Sequence, residues 1–410
     1  MRIAIFSECY TPITNGVVTS IVSLRETLRE WGHVVYVFAP GMSLPDDDVD
    51  LFRLPELPFP RHPYHFARPF PRLPVDFSAL NVDVIHCQHP FTIGRLGADL
   101  AQRHGLPMVY TAHSLYDTMA ATAKSPLVRT MGQPYARNVV RRFCARADYV
   151  IAPTRHTVNA LCADGIRARF ATVPSGVRPL PVSEDGRSRI RAQFGMNENA
   201  PLLLYVGRLG PEKRVDLILQ AAARLAKRNL PAPQRDFRIA IVGDGLSRGD
   251  LECLTLELGL QDRVRFVGVQ PHDTAGDWYA AADIFALAAP LETQGLVLIE
   301  AMAAGRPCLA VASGGLPETV IDDVTGLLVN VDPEAFADGA EWLMRNPEEC
   351  RRMGENGRRH ARHYTPETMA AGVLDVYERV LATPPMPASG RITRRLTVPS
   401  RRMQRRNRAL

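Results

Sequence analysis

The feature that most constrains this chain is a pattern that runs twice along it. Short β-branched runs, apolar throughout, alternate with longer stretches whose apolar residues recur at helical spacing. In the first half the strand candidates are Arg2–Phe6, Val34–Phe38, Val82–Ile85, Met108–Thr111, Tyr149–Ala152 and Ala171–Val173, with helices such as Val17–Trp31 and Ile93–His104 between them. After a polar, Pro-containing stretch, Arg178–Arg189, the pattern restarts at Leu202–Val206, Arg238–Val242, Val264–Val267, Ile284–Leu287, Cys308–Val311 and Gly326–Val329. A strand that is apolar on every residue is buried on both faces, so the expectation is parallel sheets sandwiched by helices. At 410 residues the chain is long for one core. The fold class expected is therefore α/β: two facing Rossmann-like, doubly wound domains with an inter-domain cleft. The domain boundaries expected are 1–177, 178–365, a C-terminal segment 366–384 and a tail 385–410, with a linker near 177–190 between the first two. Open parallel sheets bind ligands at the carboxyl ends of their strands, which puts the site in the cleft.

Charge and cysteine usage remove several classes. Eight arginines and no acids lie between Arg391 and Arg408, so the net charge of +6 leaves 6 − 8 = −2 for the rest. The body is near neutral, and the basic tail is expected to be disordered. A nucleic-acid binder would rest on that tail alone. The seven cysteines (9, 87, 144, 162, 253, 308 and 350) are scattered without a Cys-x-x-Cys pair, which argues against a disulfide framework or a zinc site. No apolar run reaches the roughly 18 to 20 residues a membrane span needs, and Ser7-Glu8 interrupt the first apolar stretch at once. The expected location is the cytoplasm, peripheral to the inner face of the membrane. Two segments depart from the pattern. Leu54–Pro74 holds seven prolines and is expected to carry little regular structure. The acidic run Asp46-Asp47-Asp48-Val49-Asp50 lacks a strand to aim it and is expected to be a solvated loop, not a metal site.

The sharpest chemical signal is Glu292-Thr-Gln-Gly-Leu-Val-Leu-Ile-Glu300, followed by Ala-Met-Ala-Ala-Gly-Arg-Pro. Gly295 makes a tight turn, and Leu296–Ala304 then reads as a helix whose free N–H groups, those of Leu296 and Val297 first, suit a phosphate. Glu300 can accept two hydrogen bonds from a ribose diol, and Glu292 in the preceding loop can reach a sugar. Arg208 and Lys213 follow another strand end. There they can supply fixed positive charge to a departing diphosphate in place of a divalent metal. In the first half, Asn15-Gly16 follows the first strand, where Gly16 lets backbone approach a ligand without a Cβ. His113 lies just past Met108–Thr111, at a strand's carboxyl end. His86 and His89 fit either a core or an acceptor-lining position.

These residues resemble the family-four retaining glycosyltransferases of the two-Rossmann type, the GT-B architecture. The two glutamates separated by seven residues carry the resemblance, with Ser313-Gly314-Gly315-Leu316-Pro317-Glu318, Gly207-Arg208-Leu209 with Glu212-Lys213, Gly243-Asp244-Gly245, Val267-Gly268 and Val173-Pro174-Ser175-Gly176-Val177 in order. It covers roughly residues 1–380. Glu8-Cys-Tyr-Thr-Pro-Ile-Thr-Asn-Gly-Val-Val-Thr-Ser is most like bacterial diacylglycerol glucosyltransferases. The resemblance implies an acceptor-binding N-terminal domain and a C-terminal domain that holds the nucleotide sugar. It implies a helix Pro366–Leu381 crossing back to the first domain. His113 would contact the donor sugar near the reacting carbon, with Arg208 and Lys213 on the diphosphate and Glu292 orienting the sugar. Retention would proceed by front-face displacement, with the departing phosphate oxygen taking the acceptor's proton. No nucleophilic carboxylate pair is evident beside His113. No cofactor or metal is implied. The co-substrate is a nucleotide sugar, UDP-glucose first and guanosine-diphosphate mannose second.

For the acceptor, Arg61, Arg68 and Arg72 are interleaved with aromatics, and Arg137, Arg141, Arg142 and Arg146 follow helical spacing, mostly on one face. Basic residues beside aromatics suit an anionic membrane surface, and the resemblance adds a lipid acceptor such as diacylglycerol. A soluble polyol or polysaccharide is the alternative acceptor. A dehydrogenase is disfavoured, since no Gly-x-Gly-x-x-Gly follows the first strand.

Overall fold

The structure, a computed structural model, describes residues 1–13, 15–42, 48–57, 66–68, 71–116, 126–196 and 199–382. Arg61 and the basic tail fall outside the described residues.

Among the described residues, the first half builds one seven-stranded parallel sheet. Its strands are β1 (Arg2–Phe6), β2 (Val34–Pro40), β3 (Leu51–Leu54), β6 (Val84–Cys87), β7 (Met108–Thr111), β8 (Tyr149–Ala152) and β9 (Phe170–Thr172), in the order β3-β2-β1-β6-β7-β8-β9. A two-stranded antiparallel piece, β4 (Glu56–Leu57) with β5 (Phe66–Ala67), lies between β3 and β6 in sequence. The second half forms a six-stranded parallel sheet from β10 (Leu202–Val206), β11 (Arg238–Val242), β12 (Val264–Gly268), β13 (Ile284–Leu287), β14 (Cys308–Val311) and β15 (Gly326–Val329). Its order is β12-β11-β10-β13-β14-β15. Both sheets are wound in two directions from a first strand, so each has a switch point, at β1/β6 and at β10/β13. The two-domain α/β reading holds.

Helices cover both sheets. Those that bear on the site are α1 (Gly16–Glu30), α2 (Thr92–His104), α3 (Pro126–Cys144), α4 (Arg155–Ala163), α5 (Gly186–Gln193), α6 (His272–Ala281), α7 (Leu296–Ala303) and α8 (Pro366–Ala382). Asn15 caps α1 by accepting the Val18 N–H at 2.9 Å. The C-terminal α8 leaves the second half and buries Met369, Ala370, Val373, Val376, Tyr377 and Val380 against α1 and the β7-β8 side of the first sheet. Burial of Met369, Val373, Val376 and Val380 contributes about 1.5–3 kcal/mol each, so α8 is part of the first core.

Four expectations need correction. Leu54–Pro74 is not wholly irregular, because β4 pairs with β5 within it. Arg146 lies past the end of α3, which stops at Cys144. The stretch 177–190 is not a free linker throughout. From Ser183 it is bound to the second half: buried Asp277 of α6 accepts from the Ser183 N–H at 2.7 Å and from Arg189 at 2.5 Å, and Arg187 and Arg191 each reach Asp283 at 3.0 Å. Of the acidic run, Asp46 and Asp47 lie outside the described residues, and Asp48 is not simply solvated, since it pairs with Arg25 and Arg29 of α1.

Candidate functional site

Residues from both switch points meet where the 292–296 loop of the second half touches the first. Pro290 and the following loop leave β13, and Gly295 turns the chain into α7 with φ +79°. A Cβ there would be strained by that φ and would sit 2.9 Å from Leu316 Cδ2, so only glycine serves. Helix α7 has no side-chain cap at its start, and the N–H groups of its first turn, where Leu296 and Val297 sit, open onto the loop.

The cations sit on the neighbouring strand end. Tyr205 at the end of β10 donates to the Arg208 carbonyl at 2.9 Å and fixes the loop that carries Arg208 and Lys213. At position 243, after β11, a Cβ would lie 2.0 Å from the Gly207 carbonyl oxygen, so the two glycine-containing turns pack backbone on backbone. Lys213 is hydrogen-bonded to Glu292, and Arg208 pairs with Glu212 at 2.6 Å. The structure thus brings Arg208, Lys213, Glu292 and Gly295 into one constellation in which each cation already has a carboxylate. The Arg208 side chain is 42% exposed and open to a further anion. Glu300, one and a half turns into α7, accepts from the Tyr279 hydroxyl at 2.5 Å through Oε2. Burial raises its carboxyl to about 7, against the lowering effect of that hydrogen bond. One of the two oxygens expected to serve a ribose is therefore already engaged.

The first half contributes from above. Gly16 faces Leu296, and a Cβ on Gly16 would stand 3.4 Å from Leu296 Cδ1. Thr293 donates to the His113 carbonyl at 2.8 Å, and Thr154 donates to the Thr293 carbonyl at 2.8 Å. His113 is thus one hydrogen bond from the loop of Glu292. Its Nε2 lies 2.6 Å from Gln88 Oε1, and burial pulls its pKa down to about 4, so it is neutral at pH 7. His86 and His89 are buried and neutral as well, both lowered to about 3 by burial. His86 is a core residue, held between Thr111 at 2.7 Å and Tyr377 at 2.6 Å. His89 lies 3.3 Å from Ser7 Oγ and accepts the Glu8 N–H at 3.2 Å. Glu8, raised to about 7 by burial, accepts the Ile93 N–H at 2.5 Å and so caps α2, which has no cap of its own.

Four residues of this arrangement were not singled out from sequence: Gln88, Tyr279, Thr293 and Gln294. Gln294 is buried and clamps the Ser175 backbone with both ends of its amide, at 2.9 and 3.0 Å. Its position inside the motif was the available signal.

The basic residues expected at an acceptor or membrane surface are not gathered at this site. Arg68 and Arg72 are exposed beside the first sheet. On α3, Arg141 and Arg142 are exposed, whereas Arg137 is bound to Asp164 at 2.8 Å and Arg146, beyond the helix, to Asp99 at 2.6 Å. Met131 and Tyr135 of the same helix are each 63% exposed. Among the described residues, no helix is long and apolar enough to cross a membrane.

Comparison with known proteins finds glycosyltransferases. The family described as Glycosyltransferase Family 4 matches residues 14–179, and that described as Glycosyl transferases group 1 matches residues 186–360. The alpha-monoglucosyldiacylglycerol synthase of Streptococcus pneumoniae is 29% identical over 364 residues, covering 85% of this chain and 79% of that protein. The D-inositol 3-phosphate glycosyltransferase of Nocardia farcinica is 35% identical over 314 residues, covering 73% of this chain and 67% of its own. The crystal structure of Anabaena HepE in complex with UDP-glucose superposes with a TM-score of 0.70 at 20% identity, covering 92% of this chain and all of that one.

Proposed function

The chain belongs to glycosyltransferase family 4 and is a nucleotide-sugar hexosyltransferase, and from that premise we propose that it transfers glucose from UDP-glucose, with retention, to a membrane lipid such as diacylglycerol. The observation that carries the catalytic part is the meeting of His113 with the loop of Glu292 through Thr293, beside Lys213 and Arg208. The diphosphate sits on Arg208, Lys213 and the amides of Leu296 and Val297, with Gly16 closing over it. Glu300 holds the ribose by its remaining carboxylate oxygen. Glu292 and His113 orient the hexose. As the bond from C1 to the phosphate oxygen breaks, an acceptor hydroxyl forms its bond to C1 on the same face, and its proton passes to the departing phosphate. The cations stabilise the charge that develops on that phosphate. No cofactor or metal takes part in this scheme.

A name and a neighbour support the donor and acceptor. One relative is named a monoglucosyldiacylglycerol synthase, and HepE holds UDP-glucose. The exposed Met131 and Tyr135 of α3, with Arg141 and Arg142 further along, suit the interface of an anionic inner leaflet. The second reading, a phosphorylated polyol as acceptor, is favoured by the 35% identity to an inositol phosphate enzyme.

The test is a thermal-shift and hydrolysis screen of UDP- and GDP-sugars with EDTA present, followed by diacylglycerol in anionic vesicles or free inositol phosphate. Metal-free stabilisation by UDP-glucose and glucosyl transfer to the lipid are expected, with vesicle binding weakened in Arg141→Glu/Arg142→Glu. Transfer to inositol phosphate and not to lipid moves the acceptor to the second reading. Stabilisation by no nucleotide sugar overturns the donor assignment.

A further inference from the structure

The carboxyl ends of β6 and β7 carry a polar ladder on the face that meets α8. Side chains two residues apart share a face of a strand, so His86 and Gln88 stand in one row and Thr111 and His113 in the next. The lower rung is closed at both ends: His86 bonds Thr111 through Nε2 and Tyr377 through Nδ1. The upper rung joins His113 Nε2 to Gln88 Oε1 at 2.6 Å. Gln88 is 2% exposed, and its amide nitrogen has no hydrogen-bond partner among the described residues. Such a buried group is costly, so a glutamine there is not explained by packing alone.

An amide oxygen can only accept, so the imidazole carries its proton on Nε2. We propose that Gln88 is the positioning residue of His113: it holds the ring in the Nε2–H tautomer and leaves Nδ1 as an acceptor for a hydroxyl of the donor sugar. The proposal rests on the placing of His113 at the sugar under the proposed function. Burial independently keeps the ring uncharged at pH 7. Its titratable neighbours add no charge, because His86 and His89 are neutral there. The carboxyl groups of the flanking loops are engaged elsewhere, Glu8 by the Ile93 N–H and Glu292 by Lys213.

The experiment compares Gln88→Leu, Gln88→Glu and His113→Ala with the parent in UDP-glucose turnover, recording kcat, donor KM and pH profiles across roughly pH 3.5 to 8. Melting temperatures establish that each variant is folded. Losing the oxygen in Gln88→Leu is expected to lower kcat about tenfold with little change in donor KM. In Gln88→Glu the hydrogen bond survives, but an anion beside the imidazole raises its pKa. The acid limb of kcat is then expected to move up by about one pH unit or more, which a purely structural role would not produce. If His113→Ala is inactive and the Gln88→Glu profile superimposes on the parent's, the proposal falls alone. If His113→Ala keeps full activity, the site reading beneath it falls as well.

Discussion

A carboxyl group can accept a hydroxyl hydrogen on each oxygen only while it is ionised, and Glu300 is poised at the edge of that state. Burial in the first turns of α7 raises it to about 7, while the Tyr279 hydroxyl at 2.5 Å works the other way. Below that pH the group takes a proton and becomes partly a donor. If Glu300 holds the ribose, affinity for the donor is full above pH 7 and falls as the pH drops through it. The KM for UDP-glucose should then rise by up to about tenfold for each pH unit below the pKa. In Glu300→Gln the KM should be raised above pH 7 and lose that dependence. A KM that rises equally towards acid in parent and variant would remove Glu300 from the donor site. The same residue-scale reasoning applies to Lys213 and Arg208. Each already meets a carboxylate, so an arriving diphosphate displaces or shares a pairing.

At the scale of elements, α8 is the piece whose place could least be read from its own pattern. Its amphipathic spacing predicts a helix but not the sheet it covers, and only the family resemblance placed it on the first half. The structure adds a polar tie to that packing: Tyr377, fully buried, bonds His86 at 2.6 Å and so joins α8 to β6 and, through Thr111, to β7. Tyr377→Phe keeps the ring and leaves His86 Nδ1 unpaired, for a loss of about 1–3 kcal/mol in urea unfolding. A midpoint unchanged from the parent would show that the bond adds nothing. The central strands were legible because β7, β8, β10, β13 and β14 are unbroken apolar or β-branched runs, as are β1 and β11 after an opening arginine, and nearly all their residues are buried. Strand β3 was not, since Leu-Phe-Arg-Leu carries an arginine and follows an acidic loop. The grouping of Arg208, Lys213, Glu292 and Gly295 was legible through the glycine turn and the spacing of the glutamates. Gln88, Thr293 and Gln294 were not. Their partners lie 25, 180 and 119 residues away, and only the register of β6 on β7 or the docking of the two halves brings them together.

For the whole molecule, the same loop that would hold the donor is also what holds the two halves together. Thr293 bonds His113, Thr154 bonds Thr293, and Gln294 clamps Ser175, all across the cleft. Beside them the carboxylate of Glu318 accepts the Arg155 and His156 N–H groups at the start of α4, at 2.8 and 2.6 Å. The two chain crossings run side by side, with the Val177 N–H on the Tyr364 carbonyl at 2.9 Å, and a Cβ on Gly176 would lie 2.2 Å from the Thr365 carbonyl oxygen. Because Ser183–Arg191 is fixed to α6 and the start of β13, any rotation between the halves has to occur at 174–182 and at 364–366. A rotation there would have to release the 292–296 loop, whose hydrogen bonds latch the two halves together. Opening breaks several hydrogen bonds, each worth about 0.5–1.5 kcal/mol net. Gln294→Ala removes two of them without touching Glu292 or Lys213. It is expected to enlarge the radius of gyration of the nucleotide-free protein in solution scattering, with UDP bringing the variant back towards the parent profile. Scattering curves that coincide without nucleotide would place the latch elsewhere, with Glu318 the next residue to change.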